Sequence, residues 1–224
     1  MEIIDISHPL GTHTAAWPGD RPCSVEWTLR RDRGDSVNVA ALATSVHVGT
    51  HADGPLHTGD GPAAGALPLE PFLGAAVVVD ARPHLRGEPP LVDEGVLEGV
   101  DAATTPRLLL RTRDHDDPAR FPGRFAALSP SLCRRLAERG FRLVGTDAPS
   151  VDPMDSKELE AHRVLVEAGI PNLENLALSG VRPGAYTLVA LPLRLAEADS
   201  SPVRAVLLRA GIPEHGVGGQ RSEC

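Results

Sequence analysis

About eight short segments of the chain run apolar or alternate apolar and polar residues at a strand-like period: Glu2 to Ser7, Cys23 to Leu29, Val37 to Val46, Ala75 to Asp80, Arg107 to Thr112, Arg142 to Gly145, Tyr186 to Leu193 and Val203 to Leu208. Far fewer segments carry helical signals. The best opens at Ser129-Pro130, a capping serine followed by proline at the first helical position, continues through Leu132 and Leu136, and stops at Gly140. A second is predicted from about Asp155 to Glu167, with Leu159, His162 and Val166 near one face and Gly169 as its stop. Asp93 to Glu98 offers a short third, weakened by Gly95 inside it. Strands and helices are not interleaved one for one. That disfavours a doubly wound parallel sheet and predicts an α+β or barrel-like, strand-rich domain with helices packed outside.

The 224 residues suffice for one substantial core. No internal repeat or low-complexity linker divides them, so residues 1–210 read as a single domain and 211–224, poor in apolar side chains, as a frayed tail. A content of 42% apolar and 23% charged residues belongs to a folded soluble chain. The formal net charge of -8 withholds the basic footprint that nucleic-acid binding requires. The longest apolar stretch, Phe72 to Val79, is broken by Gly74 and too short to span a bilayer, and Met1 to Asp5 lacks the basic start of a secretory signal. The expectation is a cytoplasmic protein with neither nucleic-acid nor membrane partners. Cys23, Cys133 and Cys224 are widely spaced and odd in number, and read as two buried hydrophobes and a tail thiol.

Histidine carries the chemical signal. His47, His51 and His57 share parity with Asp53, so on a continuous strand all four side chains would face one way. A straight strand fails, however: at about 3.3 Å per residue His47 and His51 would lie roughly 13 Å apart, whereas two nitrogens bound to one ion lie within roughly 4 Å. The segment must curl between them, and Gly49 is where a positive φ is available. Two imidazoles and a carboxylate at i, i+4, i+6 then make an N,N,O donor set for a catalytic divalent ion. His162 and Glu174, on either side of the Gly169 stop, offer a further imidazole and acid that alone say little. His8, His13, His84, His115 and His215 read as ordinary histidines. No nucleophile elbow, activated cysteine or phosphate-cradling glycine pattern competes. Trp17, followed by Pro18-Gly19-Asp20, sits at a turn and either faces a cleft or covers the core, whereas Trp27, after Val25, fits a core position.

The segment His47-Val-Gly-Thr-His51-Ala-Asp53-Gly-Pro-Leu-His57 resembles the H-x-G-x-H-x-D-x-P-x-H signature of the cyclase family of metal-dependent amide hydrolases. Trp17-Pro-Gly-Asp20, Val37-Asn-Val39, Pro68-Leu-Glu-Pro71, Gly145 to Pro153, Asp155-Ser-Lys157 and Ser201 to Val206 carry the resemblance along most of the chain. Within the family, Trp17-Pro-Gly-Asp20, Asp155-Ser-Lys157 and the Ser201-Pro-Val-Arg204 ending point to the bacterial kynurenine formamidases (arylformamidases), whereas the histidine signature is shared with isatin hydrolases.

The resemblance implies a swivelling β/β/α domain with a small β-barrel and flanking helices, usually in a homodimer. It implies two divalent metal ions per subunit, zinc foremost with manganese or iron acceptable. His47, His51 and Asp53 would hold the first, His162 and Glu174 would complete the second, and Asp53 would bridge. His57 would be the general acid/base and Trp17 a substrate contact. Gly54, where relatives commonly carry alanine, implies a looser turn before Pro55. The implied activity is hydrolysis of N-formyl-L-kynurenine to L-kynurenine and formate, in tryptophan breakdown. A sister hydrolase acting on isatin or another aryl amide needs the same ions and a different pocket. A non-catalytic metal-binding protein is the third reading, and the intact His57 argues against it.

Overall fold

In the computed structural model, which describes residues 1–209, the strand periods resolve into β1 (Glu2–Asp5), β2 (Ser24–Leu29), β3 (Val39–Ala43), β4 (His51–Asp53), β5 (Leu73–Asp80), β6 (Leu85–Arg86), β7 (Leu91–Val92), β8 (Arg107–Arg111), β9 (Ala127–Leu128), β10 (Leu143–Thr146), β11 (Asn172–Glu174), β12 (Gly184–Val189), β13 (Ser200–Pro202) and β14 (Val206–Arg209). Two α-helices accompany them, α1 (Pro130–Glu138) and α2 (Glu160–Glu167). The expected tail at 211–224 lies outside the described residues.

Nine strands form one mixed sheet in the order β1-β14-β12-β5-β8-β10-β11-β4-β13. Its centre, β5, β8, β10 and β11, is parallel. Parallel strands are covered on both faces and therefore read as apolar runs. In β8, Leu108 and Leu110 enter the layer beneath the helices and Leu109 enters the opposite layer. The outer strands pair antiparallel. Just beyond β1, Ser7 bridges to Leu176 beyond β11, and the Ala177 amide donates to the Ile6 carbonyl at 2.8 Å. The sheet thus curls back on itself around Ile6, Phe72, Leu109, Leu143, Leu173, Leu188 and Leu207, the strand-rich, barrel-like body anticipated from the patterns.

Helix α1 forms as its cap predicts: Ser129 Oγ accepts from the Leu132 amide at 3.1 Å, and Pro130 fills the first helical position. Its buried Leu132 and Leu136 each contribute on the order of 1.5–3 kcal/mol by leaving water. Helix α2 begins at Glu160, not near Asp155. Ser156 Oγ accepts the Leu159 amide at 3.1 Å, and Leu159 is held in the left-handed region at φ 47, so the preceding residues form a turn. The first helical amides, Ala161 and His162, donate to Asp152 at 2.9 and 3.0 Å, a carboxylate cap supplied from upstream. The third helical segment is a single 3-10 turn, Glu94–Leu97, with Asp93 accepting from Gly95.

The hairpin β2–β3 stands apart as its own two-stranded sheet. Trp27 on it is 48% exposed, which corrects the core position expected for it: the run after Val25 alternates correctly, but the ribbon lies outside the main sheet. Cys23 and Cys133 are buried free thiols, and burial pushes the Cys133 thiol up to about 12. Among the described residues, no helix is long and apolar enough to cross a membrane.

Candidate metal centre and active site

Three short strands and one helix end position the site. Gly49 adopts φ 72, and the chain turns there, bringing His47 back beside His51 with ring centroids 5.0 Å apart. His51 and Asp53 then point the same way from β4. The antiparallel register places Glu174 of β11 opposite His51 and Ser200 of β13 opposite Asp53. The first turn of α2 supplies His162.

Asp53 lies at the middle. Its Oδ1 is 3.3 Å from His47 Nδ1 and 3.5 Å from His51 Nε2, and its Oδ2 is 3.3 Å from His162 Nε2. Glu174 reaches both outer histidines, with Oε2 3.3 Å from His51 Nε2 and Oε1 3.3 Å from His162 Nε2. Asn172 Nδ2 donates to Asp53 at 2.8 Å and to Glu174 at 3.1 Å, and the Val151 amide donates to Glu174 at 2.9 Å.

The outward hydrogen bonds set which nitrogen faces inward. His51 Nδ1 sits 2.8 Å from the Gly49 carbonyl, His162 Nδ1 2.7 Å from Asp152, and His47 Nε2 2.8 Å from Asp199. Carbonyls and carboxylates only accept, so those nitrogens carry the protons. A His51 ring protonated at Nδ1 therefore turns an Nε2 lone pair toward carboxylate oxygens that also present lone pairs. Buried His51 Nε2 and Asp53 Oδ1 have no hydrogen-bond partner. An unsatisfied buried acceptor costs roughly 1–3 kcal/mol, and two facing each other are reconciled by a cation between them. The donors thus fit divalent ions, each imidazole braced by an outer acceptor.

Without a cation between them, the same carboxylates favour protons on the other two rings. Burial disfavours charge on His47, but the Asp53 and then Asp199 carboxylates outweigh it and lift the imidazole to about 9. His162 is likewise buried, yet Asp152, Asp53 and Glu174 hold it well above the usual histidine range. Against its own burial, Asp53 is held well below the carboxylate range by His162 and His47. The cluster is built to surround positive charge.

His57 follows in the short turn Pro55–His57, its ring 4.4 Å from that of His47 and 5.4 Å from that of His162. Its Nδ1 lies 3.0 Å from Asp199 Oδ2, the oxygen that also receives His47. Asp199 and Asp152, which hydrogen-bond these rings, were given no role from the sequence, although Asp152 lies in the Gly145 to Pro153 segment. Asp199 lies in a polar run before β13, and only its distance from the histidines in space reveals it. The Gly54 expectation is corrected: a Cβ there would meet the Ala64 backbone at 2.9 Å and the Asp199 carbonyl at 3.0 Å, so the turn is tight, and the Gly54 amide donates to Asp199 O at 2.8 Å.

Above the cluster opens a cavity of ≈ 280 Å³ with His47, His51, His57, His162 and Glu174 at its base. Trp17 forms one wall, edge-on to Phe121 at 5.1 Å and to Phe125 at 6.1 Å. It therefore both faces the cleft and belongs to an aromatic cluster. His8, read as an ordinary histidine, also lines this cavity.

A family model described as "Putative cyclase" matches residues 4–153. The chain belongs to the cyclase family. It is 44% identical over 216 residues to a protein of Salinibacter ruber named kynurenine formamidase, covering 95% of this chain and 100% of that relative. Two solved cyclase-like structures share the fold. One, described as a potential metal-dependent hydrolase with cyclase activity, superposes with a TM-score of 0.77 at 23% identity, covering 94% of this chain and 99% of that one. The other, an isatin hydrolase bound to the product analogue thioisatinate, gives 0.76 at 21% identity, covering 94% and 93%. The histidine signature lies wholly inside the matched cyclase segment, whereas His162, Glu174 and Asp199 lie beyond it.

Proposed function

We propose that the protein is an arylformamidase that hydrolyses N-formyl-L-kynurenine to L-kynurenine and formate. The observation that carries the reading is the cage of facing acceptors around Asp53, with His57 held beside it in an aromatic-walled cavity. Relatives at this level of identity named kynurenine formamidase support the formamide over isatin, whose hydrolase shares the fold at lower identity. His47, His51 and Asp53 would hold one ion, and His162 and Glu174, with Asp53 between, a second. Bound divalent ions, zinc foremost with manganese or iron tolerated by the same N and O donors, supply Lewis acidity that lowers the pKa of water from near 16 towards roughly 7 and polarises the formyl oxygen.

The chain's own groups handle the proton. Water adds to the formyl carbon and the carbon–nitrogen bond breaks, releasing formate and an arylamine. An anilide anion is a poor leaving group, so a proton must reach nitrogen as the bond breaks. His57 suits the task. Asp199 accepts from Nδ1–H and so leaves Nε2 to take a proton from the attacking water and return it to the departing nitrogen. The direct test is turnover of N-formyl-L-kynurenine by the metal-loaded protein in parallel with isatin; faster turnover of isatin would replace the formamidase reading by its sister.

The Trp17 wall supports an aryl substrate. Edge or face contact with a benzene ring contributes on the order of 0.5–1.5 kcal/mol beyond area burial. Trp17→Ala is expected to lower kcat/KM for N-formyl-L-kynurenine more than for an aliphatic formamide; equal losses with metal content intact would assign Trp17 to the fold.

A homodimer is the assembly we favour. An isolated two-stranded ribbon is marginal in water, yet β2–β3 exposes Val25, Trp27, Leu29, Val39 and Leu42, the last 56% exposed. A second copy covers such a ribbon without any other partner. Trp27→Asp combined with Leu42→Asp is expected to halve the mass measured by light scattering, and an unchanged mass would dismiss the ribbon as the interface. A cytoplasmic location accords with the free thiols of Cys23 and Cys133.

A further inference from the structure

The walls of the cavity carry charge that the hydrolytic chemistry leaves unused. Arg113 and Arg120 line it, as do Asp20 and Asp117. Arg113 is held in place from several sides. Its amide donates to Asp147 Oδ2 at 3.2 Å and its Nη2 donates to the Asp147 carbonyl, while Nε faces Asp116 Oδ1 at 3.5 Å without forming a hydrogen bond. The other Asp116 oxygen is occupied by the Ser179 amide at 2.8 Å. The Arg113 side chain remains 23% exposed, and its Nη1 makes no hydrogen bond to the described residues. Arg120 is exposed at the rim, and its guanidinium forms no ion pair with the described residues.

A guanidinium fixed before the ligand arrives loses little side-chain freedom on binding, and its planar fork matches a carboxylate. The base of the cavity accounts for a formyl group and the Trp17–Phe121 wall for an aryl ring. What remains for the charged wall is a part of the substrate that carries both signs of charge.

We propose that Arg113, assisted by Arg120 at the rim, is the receptor for a substrate carboxylate, with Asp20 and Asp117 facing an ammonium, so that the enzyme selects aryl formamides bearing an α-amino-acid tail. This rests on the formamidase reading and assigns residues to its specificity. The contacts act on binding and leave the reacting atoms alone, so their loss falls on KM more than on kcat.

The test compares kcat/KM for N-formyl-L-kynurenine with that for 2′-formamidoacetophenone, which keeps the ring, ketone and formamide and lacks the tail. It uses the metal-loaded wild type, Arg113→Gln and Arg120→Gln. Losing one charge-assisted hydrogen-bonding partner is expected to lower the ratio of the two efficiencies by about tenfold or more in Arg113→Gln and by about threefold in Arg120→Gln. General damage to the fold lowers both efficiencies together and leaves the ratio unmoved, so an unmoved ratio in both variants overturns the proposal. Should Arg113→Gln fail to fold, the Arg120→Gln ratio decides alone. A wild type equally efficient on both substrates overturns the tail subsite and leaves the formamidase reading standing; a wild type inactive on both overturns the two together.

Discussion

An Asp53→Ala protein is expected to lose its divalent metal and, with it, hydrolysis of N-formyl-L-kynurenine by at least about 10⁴-fold in kcat. Among the described residues Asp53 alone lies against all three imidazoles: one oxygen faces His47 and His51 and the other faces His162, whereas Glu174 reaches only His51 and His162. Removing it leaves Glu174 as the one carboxylate among the described residues on the inward side of these imidazoles. Elemental analysis of the purified variant beside wild type is the measurement. Stoichiometric metal retained in Asp53→Ala would remove the carboxylate from the centre of the site. Replacing Asp152, which caps α2 and meets the cage only through the outer nitrogen of His162, is expected to cost the more modest 10- to 100-fold in metal affinity usual for a bracing group.

His57→Ala should separate proton transfer from metal holding. With the ions retained, kcat is expected to fall by about 10²- to 10⁴-fold, the range of general acid–base catalysis. The alternative is concrete, since ligand atoms of Asp53, His57 and His162 all lie within 4.8 Å of one another. Metal lost from His57→Ala would make the ring a ligand, and an unchanged rate would dismiss it from the chemistry. Asp199→Ala should fall between the two variants in character. It frees the His57 ring and also removes the acceptor behind His47, so a drop in kcat with a partial drop in metal affinity is expected.

What the sequence revealed followed from strong local chemistry. Gly49 marked the curl between His47 and His51 because only that position offered a positive φ, and Ser129-Pro130 marked the start of α1. The apolar run within Arg107 to Thr112 marked a strand, which the fold then covers on both faces. The strands that carry the site were harder to read. β4, β11 and β13 are each three residues long and built from polar or ligand residues, His51 and Asp53 in the first and Asn172 and Glu174 in the second, so no apolar alternation marks them. Trp27 misled because alternation reports a two-faced ribbon whether or not either face meets a core. Asp199 gave no signal at all: it is 142 residues from His57 along the chain, and its role exists only because β13 lies beside β4.

The pairing of the two ends of the described chain governs when this catalyst can come into being. Glu2 of β1 lies opposite Arg209 of β14, joined by an ion pair across 207 residues, and β4 gains its neighbours only from residues 172–202. Loop closure grows costlier with separation, by about 0.6 kcal/mol for each doubling, and chains dominated by distant pairings fold slowly. On the ribosome the histidine-rich segment therefore emerges long before the strands that flank it, with its nitrogens open to any passing ion. Residues through 202 must have emerged before the cage can form, so the metal loading proposed above would begin only once β11 and β13 have joined β4, not when the motif is translated.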